Sequence, residues 1–208
     1  MYIPTAFAET NVERLHEAIR GSGLATLVTL TKEGLLASHV PMLLDPAPAP
    51  YGTLLGHVAV ANPHAEPPQP GVEALAIFTG PDAYVSPGWY QTRKDTGKVV
   101  PTWNYVAIHA YGSLEIFRDR DRLGEVVRRL TEKHEAGLPE PWSMDDAPKD
   151  FIESLLKGIA GFSLTITRLQ GKWKMSQNRA AQDRAGVIRA LSESDDPVKQ
   201  AVAKLVKP

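Results

Sequence analysis

The chain contains no cysteine, which excludes disulfides, thiolate metal sites and cysteine nucleophiles. No window approaches the ~18 consecutive apolar residues of a membrane-spanning helix. Neither sign of charge dominates: 23 Lys and Arg face 24 Asp and Glu, for a net charge of −1. That balance excludes a sequence-wide basic surface for nucleic acid. The first ten residues, Met1 to Thr10, carry no positive region and no long apolar run, so no signal peptide is expected. A cytoplasmic protein without a membrane partner is the expectation. Catalytic signatures are missing as well. His39, His57, His64 and His109 lie in or beside strand-like runs, but none forms an HxH or HExxH pair, so no metal site is expected. Ser86 and Ser176 sit in no GxSxG elbow, and Gly52-Thr-Leu-Leu-Gly56 lacks the ending of a phosphate-binding loop.

What is present reads as strands with a few helices around them. Thr10 to Arg20 has one apolar face (Val12, Leu15, Ala18, Ile19) and stops at Gly21. Leu24–Leu30 and Leu35–Leu44 read as strands joined through Thr31-Lys-Glu-Gly34, with Gly34 free to take a positive φ. The alternating prolines from Asp45 to Pro50 permit only a loop. Further strands are expected at Gly52–Ala59, Ala74–Phe78 and Ala83–Ser86. A long alternating strand follows from Trp103 to Phe117, and a hairpin is expected from Gly161–Leu169 and Trp173–Ser176, turned at Gln170–Lys172. Helices are expected at Asp119–Glu135 and Pro148–Lys157, with two exposed ones at Gln182–Ala190 and Pro197–Val206. Hairpin order without strand–helix–strand alternation implies a mainly β, largely antiparallel and Greek-key-like barrel with peripheral helices. Residues 1–190 are expected to form one domain and 191–208 a helical tail. Side chains fill a barrel of this size, so a ligand would sit outside it or at an interface.

Two segments stand out. Gly80 to Tyr105 holds two of the four tryptophans and three of the six tyrosines, interrupted by Pro81, Pro87 and Pro101. A core strand would not admit prolines at that density, whereas rings and polar groups held by rigid turns suit a pocket for a flat, polar-edged ring system. Gly171 to Arg179 surrounds Trp173 with two lysines, an arginine, a hydroxyl and two amides, a set able to hold a phosphate and the edge of a heteroaromatic ring.

Five ordered blocks resemble the PaiB family of FMN-binding negative transcriptional regulators. They are Met1-Tyr-Ile-Pro4 with Phe7; Gly56-His-Val-Ala59 with Ala61-Asn-Pro63; Gly80-Pro81 with Ala83–Pro87 and Trp89-Tyr90; Pro101–Tyr105; and Lys172–Asn178. The resemblance implies the FMN-binding split-barrel fold shared with pyridoxamine-phosphate oxidases, and a homodimer with flavin in its interface. Carried onto this chain, it implies a cofactor site lined by His39, His57, Asn62, Tyr84, Ser86, Thr102, Trp103, Asn104, Lys174, Ser176 and Gln177. Val60 stands where family members often have a basic residue, and Gly88 where they often have serine. A lost charge-assisted phosphate contact of that kind is worth roughly 1.5–3 kcal/mol.

Three functions are compatible with this reading. The first is an FMN-binding homodimeric regulator, with DNA or another regulatory partner reached without a helix-turn-helix. The second is an FMN-dependent oxidoreductase, such as a flavin reductase or an enzyme similar to pyridoxamine-phosphate oxidase. The third is a structural or ligand-sequestering dimer that has lost its flavin. No acid–base pair decides whether the protein is an enzyme.

Overall fold

Gly34 takes a φ of +120° at the tip of the first hairpin. The two strands it joins, β2 (Ala25–Thr31) and β3 (Gly34–Val40), pair antiparallel from Ala25↔Val40 to Thr31↔Gly34. They form one end of an eight-stranded sheet in a computed structural model that describes residues 1–208. The other strands are β1 (Ala8–Glu9), β4 (Leu43–Asp45), β5 (Thr53–Ala59), β6 (Ala74–Val85), β7 (Thr102–Phe117) and β8 (Ile159–Lys174). The sheet order is β3-β2-β6-β7-β8-β5-β4, with β1 on β8. Six helices accompany it: α1 (Val12–Arg20), α2 (Gln91–Thr96), α3 (Arg120–Glu135), α4 (Lys149–Leu156), α5 (Ala181–Ser192) and α6 (Pro197–Leu205). The mainly β, antiparallel class with peripheral helices is thus the one the sequence implies.

The local expectations differ from the structure at four places. The expected strand 35–44 ends at Val40, because Pro41 has no amide to donate, and β4 then pairs with β5. The runs at 74–78 and 83–86 are one strand that passes through Pro81. Pairing of β6 with β2 covers only Leu75 to Ile77, so no donor to β2 is lost at Pro81. Gly80 lets this strand lie close to Val106, whose Cβ would be 2.8 Å from a Cβ added there. The expected hairpin at 161–176 is instead a single strand, since Gly171 and Lys172 pair with Glu9 and Ala8 in place of turning. Finally, α5 and α6 are not merely exposed: Val187, Leu191, Val202 and Ala203 are buried.

The chain divides into two units. The first comprises Met1–Asn11, Thr79–Ile108 and Gln170–Pro208, and buries Val85, Tyr90, Val106, Met175, Val187 and Leu191. The second comprises Val12–Phe78 and His109–Leu169. Its α3 presents Leu123, Val126 and Leu130 to Leu43, Leu55 and Phe117, the stripe that the helical period of 3.6 puts on one face. Asp119 caps that helix by accepting a hydrogen bond from the Arg122 amide at 2.8 Å.

Candidate functional site

In the first unit, β7 begins at Thr102 and β8 ends at Lys174, and their side chains meet. The Lys174 ammonium donates to Thr102 Oγ1 and, at 2.6 Å, to the Trp103 carbonyl. Burial, then the neighbouring charges of Lys172 and Arg179, lowers its pKa below the ordinary lysine value. The period of two along β7 sends Asn104, Val106 and Ile108 inward, while Trp103 remains 52% exposed. Trp103 meets Tyr84 edge to face, with ring centroids 6.0 Å apart and planes at 74°. Tyr84 is also exposed, so the pair offers open aromatic surface.

Asn104 and Trp103 therefore lie on opposite sides of one strand. Asn104 is fully buried, and its Oδ1 accepts a hydrogen bond from Ser176 Oγ at 3.0 Å. Its Nδ2 is buried without a partner. Ser176 has a φ of +61°, the left-handed region that non-glycine residues seldom adopt. Gln177 is spent on its own turn: Oε1 accepts from the Met175 amide at 2.7 Å, and Nε2 donates to the Trp173 carbonyl. Ser86 caps a short 3₁₀ turn at Pro87–Trp89 by accepting from the Gly88 amide at 3.1 Å. A serine at 88 would bring its Cβ to 3.2 Å from Ser86 Oγ.

Three of the residues implied by the resemblance belong to the second unit. His39 Nδ1 is hydrogen-bonded to Thr26 Oγ1 at 3.0 Å. Buried His57 Nδ1 has no partner, and desolvation holds this imidazole below its usual pKa, hence neutral. Asn62 opens the 3₁₀ turn at Pro63–Ala65, its Oδ1 accepting from the His64 amide at 2.9 Å. Its Nδ2 donates to Ser38 Oγ at 3.1 Å, and Ser38 in turn meets His64 Nδ1 at 2.9 Å.

The structure thus gathers Thr102, Trp103, Asn104, Lys174, Ser176 and Tyr84 in one unit, and joins Asn62 to two residues absent from the implied cofactor site, Ser38 and His64. It adds Lys172 to the first group. This lysine is buried, donates to the Tyr2 carbonyl at 3.1 Å and lies 5.1 Å from the Tyr105 ring centre. The cationic composition of 171–179 was the signal for it. No three His, Asp or Glu side chains converge to hold a metal ion, and no helix is long and apolar enough to cross a membrane.

FMN needs an anion holder and a surface for a flat ring. An ammonium has three protons. Two of those on Lys174 go to protein acceptors, leaving one for a phosphate oxygen. The open Tyr84–Trp103 pair would offer such a ring surface. These residues fit the cofactor.

Comparison with known proteins points to the same cofactor class. Residues 1–168 match the family model described as "Putative FMN-binding domain", a stretch that ends before Lys174. The protease synthase and sporulation protein PAI 2 of Bacillus subtilis (strain 168) is 33% identical over 207 residues, covering 100% of this chain and 97% of that protein. Among solved structures, the flavocytochrome Anf3 of Azotobacter vinelandii superposes with a TM-score of 0.56 at 13% identity, over 86% of this chain and 75% of that one. The FAD and heme binding protein of Mycobacterium smegmatis gives 0.54 at 17% identity, over 86% and 78%. At such identities the structural likeness concerns the fold alone, and it agrees with the split barrel implied by the family resemblance. With a family model spanning most of its length and a PAI 2 relative covered end to end, the chain belongs to the PaiB family of FMN-binding-domain proteins.

Proposed function

We propose that this protein binds FMN as a homodimer and serves as a regulator similar to the PaiB type. The observation that carries the reading is Lys174, a partly desolvated ammonium with an uncommitted proton, anchored to the Trp103 carbonyl while the Trp103 ring stays exposed. Lys174 holds the phosphate, and Trp103 with Tyr84 contacts the ring. Asn104 and Ser176 act as positioning residues, fixing the turn that follows Lys174 from the inner side of β7. When bound, the flavin supplies redox-active ring chemistry that no side chain of this protein offers.

Exposed aromatic surface of this kind, 45% for Tyr84 and 52% for Trp103, favours cover by a second copy. A net charge of −1 leaves no broad electrostatic hold on DNA, so we place the regulatory role in ligand binding instead of operator reading.

Isothermal titration with FMN and riboflavin tests the cofactor assignment. Lys174→Ala is expected to weaken FMN about 10-fold or more and to leave riboflavin nearly unchanged, because riboflavin lacks the phosphate. Trp103→Ala is expected to weaken both. An unchanged FMN–riboflavin difference in Lys174→Ala would refute the phosphate assignment.

A further inference from the structure

Lys172 and Lys174 stand two residues apart at the end of β8, so the pleat sends both side chains to one side of the sheet, about 7 Å apart. Tyr105, two residues along β7 from Trp103, meets Lys172 there. The Lys172 ammonium lies 5.1 Å from the Tyr105 ring centre and 5.6 Å from that of Tyr2. This side chain is 7% exposed, and one of its three protons goes to the Tyr2 carbonyl at 3.1 Å. Arg179 adds a third cation, its guanidinium 4.9 Å from the Tyr90 ring centre. The charges of Lys172 and Arg179 both act on Lys174.

None of these three cations forms an ion pair with a carboxylate. Glu9 pairs with Gly171 across β1 and β8, which puts it on the opposite side of the sheet from Lys172, and its carboxylate accepts from the Asn11 amide at 2.9 Å. Asp183, 2% exposed, is committed to Thr92, accepting from its amide at 2.9 Å and its hydroxyl at 2.8 Å. The Met1 ammonium, donating to Gln170 Oε1 at 2.9 Å, has the same sign as the cluster. Aromatic rings around a cation replace part of its water without neutralising it. Like charges gathered without a counter-charge are costly, and an anion of high charge density relieves that cost most.

A phosphate monoester such as that of FMN carries about two negative charges above its second pKa near 6, whereas each phosphate in the pyrophosphate of FAD carries about one. We propose that Lys172, supported by Arg179, makes the anion site selective for the dianion of a phosphate monoester and so favours FMN over FAD. The inference rests on the flavin reading above, with Lys174 as the contact and Lys172 as the charge behind it that sets the selectivity. Lys172 acts through its field and needs no contact with the phosphate.

The test titrates the full chain with FMN, FAD and riboflavin at about pH 5 and about pH 7. The first unit contains none of the histidines, and its carboxylates and ammonium groups keep their charges over that range, so the ligand phosphate is the group there that titrates. Measured relative to riboflavin, FMN is expected to bind about 5- to 10-fold more tightly at the higher pH, following the dianion fraction across a pKa near 6. FAD relative to riboflavin should stay flat, and should bind more weakly than FMN at about pH 7. Lys172→Met keeps the apolar stem and removes the charge. It should lower FMN affinity about 5-fold or more at the higher pH and flatten the FMN profile, with riboflavin unchanged. A merely structural role would weaken riboflavin as well and leave the FMN profile in place. Arg179→Gln should flatten the profile to a smaller extent, and decides the matter if Lys172→Met fails to fold. An FMN profile as flat as that of riboflavin, FAD bound as tightly as FMN at about pH 7, or the full pH response retained in folded Lys172→Met or in Arg179→Gln would each overturn the proposal. If no flavin binds, or Lys174→Ala leaves the FMN–riboflavin difference unchanged, the flavin reading itself falls first and this selectivity with it.

Discussion

The two units each hold a small buried polar cluster, and the clusters solve the problem of burial in different ways. In the second unit, Asn62 Nδ2 donates to Ser38 Oγ, which is hydrogen-bonded to His64 Nδ1, and His64 Nε2 is left unpaired. In the first, Asn104 and Ser176 make one hydrogen bond while Asn104 Nδ2 stays unpaired and Ser176 takes a left-handed backbone conformation. One cluster is nearly saturated and unstrained. Each leaves one buried nitrogen unpaired, but only the other holds backbone strain, beside the lysine assigned to the phosphate. Backbone strain concentrates at functional sites, and of the two clusters only the one after β8 carries it, which supports the proposed phosphate site there.

Breaking the saturated relay is expected to have the larger effect. Ser38→Ala strands both Asn62 Nδ2 and His64 Nδ1, and should cost about 1–3 kcal/mol of unfolding free energy in urea titration. A cost near zero would mean that the relay is not formed in solution.

Relieving the strained cluster should instead help. Asn104→Leu removes a donor that already lacks a partner while keeping the side-chain shape, and Ser176→Gly suits the φ of +61°. The double variant is expected to gain about 1 kcal/mol, because both members of the buried hydrogen bond leave together and the left-handed residue becomes glycine. Destabilisation of the double variant would show that the cluster supports the fold more than it burdens it.

How far these features were legible in the sequence depends on whether their causes are local. The Gly34 turn, the alternation of β7 and the stripe of α3 follow from neighbouring residues, and each can be read directly. The continuity of β8 cannot, because Gly171 and Lys172 resemble a turn until Ala8 and Glu9 pair with them. The passage of β6 through Pro81 likewise depends on where β2 stops pairing and on Val106 beside Gly80. At the candidate site, composition pointed to Lys174 and Trp103, yet the opposite orientations of Trp103 and Asn104 emerge only once β7 is placed. Ser38 and His64 lie 26 residues apart, and no spacing rule joins a serine in a strand to a histidine in a turn after another strand.

The smallest expected effect is the dependence of stability on pH, and it separates the clusters by the pH window in which it acts. Burial lowers the pKa of His57 and His64 from the ordinary 6.5. Above 6.5 these rings are neutral whether the chain is folded or not. As pH falls below that value the unfolded chain binds protons that the folded chain resists, so stability declines until the folded pKa is passed. For Lys174, lowered from 10.5, the sign is the same but the window lies on the alkaline side. Near neutrality the ammonium is charged in both states and its desolvation weighs on the folded one. As pH rises through the folded pKa the native amine loses its proton first, which adds stability until the unfolded lysine titrates near 10.5. Urea midpoints measured on either side of each value should therefore shrink on the acid side and grow on the alkaline side. His64→Gln should reduce only the acid loss and Lys174→Ala only the alkaline gain. A Lys174→Ala profile that kept the full alkaline gain would mean that the ammonium is not desolvated beside Thr102 and Trp103, and the charged half of the comparison would fail.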